Sequence, residues 1–152
     1  MLPEFRVKQH YGASGGLVAV SNAATAQPYW ELKSLYATGQ IQQEEFGNGV
    51  ETHWTRSLAQ GGVVTHILAW RDGTVVQDEA FTYEPESLRL ESRSDLLALQ
   101  TESYTYDQIG RVTDVLTAAQ FSLQMQYDDR GDIQFKSDVG TYTYGPAGQD
   151  PN

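Results

Sequence analysis

A chain of 152 residues with 39% apolar and 11% aromatic side chains is long enough for one folded domain and too rich in aromatics for a disordered segment. Its formal charge of −10, with ten dispersed Lys and Arg residues, excludes the clustered basic surface that nucleic-acid phosphates require. Cysteine is absent, which excludes disulfides and thiolate metal sites, and no apolar run approaches the roughly 20 residues that span a bilayer as a helix.

One short pattern recurs along the chain: an apolar residue four places before a glycine, usually with another apolar residue two places after it. It centres on Gly15, Gly39, Gly62, Ser87, Gly110, Gly131 and Gly148, at separations of 24, 23, 25, 23, 21 and 17 residues. A period of that length is about one β-hairpin plus a return turn, and it predicts an array. The array is assigned residues 7–150 as a single unit of about seven degenerate repeats, incomplete at both ends. The fold class expected is all-β, a meander of consecutive antiparallel hairpins forming a curled or spiral sheet.

In chain order, the first repeat places Tyr11 opposite Leu17 around Gly15. The second places Leu35 opposite Ile41 around Gly39, and Gly47-Asn48-Gly49 then turns the chain between IQQEEF and VETHWTRS. The third places Leu58 opposite Val64 around Gly62, with Asp72-Gly73 as the return turn. In the fourth, Ser87 replaces the glycine four places after Tyr83, which predicts a different turn type or strain. Residues 93–101 (RSDLLALQT) carry three leucines and no tight-turn dipeptide, and read as one helical turn or a packed loop.

The fifth and sixth repeats define the geometry. If Gln108, Ile109 and Gly110 form a three-residue loop with the glycine left-handed, Asp107 faces Arg111 and Tyr106 faces Val112. The same register sets Tyr127 opposite Ile133 around Gly131. Each apolar cross-strand pair adds roughly 0.2–1 kcal/mol. Asp107 and Asp128 open their turns, where a carboxylate accepts backbone N–H groups and holds the bend. Residues 137–140 form a further turn, and Tyr144 with Gly148 opens a last one. The total is roughly 12 to 14 strands, and open sheets beyond about 10 strands curl or split.

No signal-peptide core is present in residues 1–10, and no enzyme signature emerges. His10, His53 and His66 show no metal-ligand spacing, although His53 and His66 fall in neighbouring strands. Asp128, Asp129 and Asp132 make an acidic tip whose spacing misses the EF-hand pattern, leaving weak calcium binding as an alternative. Arg130-Gly131-Asp132 spells an integrin-recognition tripeptide, but the repeat already requires its glycine. No cofactor, metal ligand or catalytic residue is assigned. Trp30, Trp54 and Trp70 are the alternative ligand-binding residues, as platforms for sugar rings or a protein partner, set against simple packing between hairpins.

The units YTYDQIGRVTDV and MQYDDRGDIQFKSDVGTYTY resemble the YD repeats of Rhs-type proteins, in which tyrosine and aspartate precede two variable residues, a glycine, arginine or asparagine, and an aliphatic residue. YWELKSLYATGQIQQEEFGNGVETHWTRS is similar to Rhs proteins as well. The resemblance runs from about Val7 onward. It implies a non-catalytic segment of a hollow shell that encloses a toxin effector, as in Rhs proteins and Tc toxin complexes, or forms a cell-surface scaffold, as in teneurins. It also implies a secreted or cell-surface location within a larger bacterial protein. The expected partners are the remaining repeats of a longer chain, or other copies meeting at exposed strand edges. Arg111 matches the family's arginine, whereas Asp132 takes that place in the next unit.

Overall fold

The computed structural model describes residues 6–117 and 122–145. Its strands are β1 (Val7–Tyr11), β2 (Leu17–Asn22), β3 (Pro28–Leu35), β4 (Ile41–Phe46), β5 (Val50–Ser57), β6 (Val63–Arg71), β7 (Thr74–Tyr83), β8 (Leu90–Asp95), β9 (Gln100–Tyr106), β10 (Val112–Thr117), β11 (Ser122–Tyr127), β12 (Ile133–Lys136) and β13 (Gly140–Thr141). Strand order follows chain order, so the fold is an all-β antiparallel meander. The described residues fall into two compact units. One runs up to Ala80 and includes Asp95–Leu97; the other comprises Phe81–Ser94 and the residues from Ala98.

In the first unit, β-branched and aromatic residues fill β5 (VETHWTRS) and β6 (VVTHILAWR), the types that suit a pleated surface. Their ladder runs from Val50 opposite Arg71 to Ser57 opposite Val63. Burial concentrates in one row across the strands: Glu44 faces Thr52, and Thr52 faces Ala69. Ala69 is the one buried apolar side chain among the described residues, and Glu44, Thr52 and Ser21 are buried polar ones. With so little interior, stability rests on many cross-strand pairs rather than on a packed core.

Four turns share one geometry. The N–H of the first residue donates to the carbonyl four places on, and the glycine N–H donates back to the first residue's carbonyl. This holds for Gly12 to Gly16, Tyr36 to Gln40, Asp107 to Arg111 and Asp128 to Asp132. Gly15, Gly39, Gly110 and Gly131 carry φ of 80, 83, 88 and 96°, the left-handed region that an L side chain resists. The flanking pairs are Tyr11 with Leu17, Leu35 with Ile41, Tyr106 with Val112 and Tyr127 with Ile133. Between β6 and β7, Asp72 and Gly73 both take positive φ, as a two-residue hairpin turn requires.

Two expectations are corrected, and one about a turn is met. Leu58 does not face Val64: Arg56 does, and Leu58–Gln60 forms a 3₁₀ turn. Gly61 as well as Gly62 is left-handed, with φ of 71 and 83°, so the loop is longer and Leu58 leaves the ladder. Residues 93–101 are neither a helical turn nor a packed loop. Strands β8 and β9 run to Asp95 and from Gln100, and residues 96–99 make a tight turn with Leu99 at φ 53°. In the fourth repeat the turn is of a different type, as the replacement of glycine by Ser87 predicts, and Ser87 does not take the glycine's conformation. Leu88 does, at φ 55°, because Leu88 N–H closes on the Glu84 carbonyl one residue further along than in the glycine turns.

Candidate functional site

The residues that recur from repeat to repeat assemble along the turn side of the second unit. Asp107 Oδ1 accepts the Ile109 and Arg111 backbone N–H groups at 3.0 and 2.9 Å. Asp128 Oδ1 does the same for Arg130 and Asp132, both at 2.9 Å. The carboxylate thus closes the loop that the glycine permits. Asp107 Oδ2 remains for the Arg111 guanidinium, whose Nε–H donates to it at 2.6 Å.

Held in this way, Arg111 reaches the next repeat. Its guanidinium carbon lies 4.6 Å from the centre of the Tyr127 ring, and one terminal N–H donates to the Asp128 carbonyl at 3.1 Å. Tyr127 in turn donates its hydroxyl to the Val112 carbonyl at 2.8 Å. The preceding repeat shows the same set. Arg89 pairs with Glu84 at 2.9 Å, lies 5.1 Å from the Tyr106 ring centre and donates to the Asp107 carbonyl at 3.3 Å. Tyr106 donates to the Leu90 carbonyl at 2.7 Å, and Tyr144 to the Ile133 carbonyl at 2.9 Å. Each tyrosine therefore binds back to the residue that follows the previous repeat's arginine position. Charge-assisted and cation–π contacts carry the link forward and a phenol carries it back.

Glu84 and Arg89 were not singled out in the sequence, because four residues separate them instead of three. The available signal was an acid directly after Tyr83 and a base directly before Leu90. The two remaining repeat tyrosines lie on earlier strands. Tyr11 donates to Gln9 Oε1 in its own strand, and Tyr83 is half-buried at the end of β7. Tyr36, also unmarked in the sequence, donates to the Trp54 carbonyl at 2.8 Å. Gly148 lies outside the described residues.

The tryptophans are half-buried and engaged with their neighbours. Trp30 and Trp54 donate their indole N–H groups to the two oxygens of buried Glu44, at 2.7 and 3.3 Å, and Trp70 packs on His53 with ring centres 4.5 Å apart. The histidines do not converge. His10 Nε2 meets Ser21 Oγ at 2.9 Å, His66 Nε2 meets Asp78 Oδ1 at 2.6 Å, and His53 faces Leu68. Among the described residues no three His, Asp or Glu side chains are grouped to hold a metal. Arg130-Gly131-Asp132 forms the tip of the Asp128 turn, with all three of its backbone N–H groups bound to Asp128.

The turn contacts act on ionisation. The Arg111 backbone N–H first, then its guanidinium and the Ile109 N–H, hold Asp107 below its ordinary 3.8. The Ser87 hydroxyl, then Arg89, hold Glu84 below 4.5. Burial, then the hydrogen bond to Glu102, pushes Tyr104 up to about 12. A lowered carboxyl stabilises the fold above its unfolded value, and that stability is lost as pH falls through the folded value. A raised phenol stabilises the fold below 10.0, and that stability is lost on rising towards about 12. Thermal midpoints should therefore be level between these limits and fall beyond both. The Glu84→Gln, Asp107→Asn double variant should show a shallower acid fall; an unchanged slope would contradict the assignment.

No family model matches the chain, and no curated relative does. Solved structures of Tc toxin chains share its fold. A crystal structure of TcdB2-TccC3-TEV aligns with a TM-score of 0.56 and 17% identity over 93% of this chain and 10% of that one. TcdB2-TccC3-Cdc42 aligns with a TM-score of 0.52 and 18% identity over 82% and 9%. TcdB2-TccC3 gives 0.52 and 17% over 84% and 9%. The chain spans about a tenth of the length of the chains it matches.

Proposed function

We propose that this chain is a non-catalytic segment of wall in a YD-repeat shell of the Rhs type, secreted or displayed by a bacterium as part of a longer protein. The observation that carries the reading is the ladder itself. Tyrosine, acid and arginine serve to tie each turn to the next, an arrangement that builds a continuous surface and performs no chemistry. The fold shared with Tc toxin chains over 93% of this sequence supports it. In this reading the parent shell encloses an effector or forms a scaffold, and the segment's partners are its neighbouring repeats. Sugar binding by Trp30, Trp54 and Trp70 is less favoured, because two of the indole N–H groups are already bound to Glu44.

The test is to compare the chain alone with the chain extended by the sequence that flanks it in its source genome. Alone, the outer edges of β1 and β13, which pair with no strand among the described residues, should drive concentration-dependent association in light scattering. Extended, the protein should form a closed hollow particle under the electron microscope. A monodisperse monomer from the first and an open ribbon from the second would overturn the proposal.

A further inference from the structure

We infer that Tyr144, Asp128 and Asp132 form a guanidinium site that takes an arginine side chain from another polypeptide. The chain shows twice how such a group is held. Arg89 and Arg111 each lie over the next tyrosine ring and donate to the carbonyl of the residue after it. Each is also fixed by the acid that opens its own turn, Glu84 or Asp107.

The third position repeats these features with an aspartate in place of the arginine. Tyr144 donates to the Ile133 carbonyl just as Tyr106 does to Leu90 and Tyr127 to Val112, so its ring is set in the same way. Asp128 Oδ1 takes the same two backbone N–H groups as Asp107 Oδ1, which turns Asp128 Oδ2 to where Asp107 Oδ2 meets Arg111. Gly145 follows Tyr144, the place in the repeat whose carbonyl accepts from the arginine in the two earlier copies. Asp132 stands where the arginine stands in the earlier repeats, and Tyr144 is 48% exposed.

Acidic side chains alone would not single out a ligand; the two occupied copies do. A guanidinium suits the position better than an ammonium, because its flat face covers a ring while its fork reaches a carboxylate and a carbonyl together. Asp132 adds a second negative charge, and the chain's net charge of −10 draws a cationic segment towards it in a salt-sensitive way. The site is defined by this chain's own repeats and is independent of the shell reading.

An NMR titration of the full chain with N-acetyl-arginine amide, and separately with N-acetyl-lysine amide, tests it. Amide shifts at Asp128, Asp132 and Gly145 should saturate at about fivefold less arginine than lysine. Asp132→Arg supplies the guanidinium from within and should abolish the saturable response while raising the thermal midpoint. Tyr144→Leu should lose the preference for arginine with the strand pairing intact. Equal half-saturation by the two amides, or arginine binding by Asp132→Arg at wild-type strength, would overturn the inference.

Discussion

Gly47→Ala should lower the thermal midpoint by about 5–10 °C, the equivalent of about 3 kcal/mol. A Cβ at this position would lie 2.0 Å from the Pro28 carbonyl oxygen, 2.9 Å from its carbonyl carbon and 3.0 Å from Tyr29 Cα. All three are main-chain atoms at the start of β3, so no side chain can swing aside. Moving the loop away would also break the hydrogen bond from Gly47 N–H to the Tyr29 carbonyl, at 2.9 Å. Gly49, two residues along the same loop, gives the control. It has φ 80° and open space around it, so alanine there meets only the left-handed penalty of about 1 kcal/mol. Asparagine tolerates that conformation and should recover most of the loss at Gly49, yet be as damaging as alanine at Gly47. Equal effects of alanine at the two positions would show that contact with β3 contributes nothing.

What was legible in the sequence depended on how local its cause is. A glycine at the left-handed position of a three-residue loop announces itself, and the turns at Gly15, Gly39, Gly110 and Gly131 with their apolar flanking pairs follow from spacing alone. The turns whose details the spacing does not give share one cause. At Gly61-Gly62, Leu88 and Leu99 the chain adopts positive φ at a residue that the repeat does not mark, and loop length changes with it. Leu88 and Leu99 illustrate the point best, because leucine has no preference for that conformation and cross-strand pairing on either side imposes it. The ladder was illegible for a different reason. Its contacts join residues 11 to 18 apart, such as Tyr144 with Ile133 and Arg89 with Asp107, and become visible only when consecutive hairpins lie side by side. The same holds for Glu44, whose burial makes sense only once two indoles from different strands meet its carboxylate.

Arg111→Ala should destabilise the second unit by about 2–3 kcal/mol, because one side chain carries an ion pair, a hydrogen bond to a main-chain carbonyl and a ring contact. Its side chain is 30% exposed, so solvent weakens these contacts without abolishing them. Arg111→Lys should recover only part, since an ammonium cannot reach Asp107, the Asp128 carbonyl and the Tyr127 face together. Arg130, exposed at the next loop tip, should cost less than about 0.5 kcal/mol when changed to alanine. The decisive measurement is a double-mutant cycle of Arg111→Ala with Tyr127→Leu in urea unfolding, for which a coupling of about 0.5–1 kcal/mol is expected. The link also has a direction, since Arg111 acts on the repeat that follows it. Amide exchange in Arg111→Ala should therefore quicken at Asp128 and Asp132 more than at Glu84 and Leu88. Additive single effects, or exchange that quickens equally on both sides, would show that the turns are stabilised one by one and that the tyrosine–arginine contacts bind nothing between them.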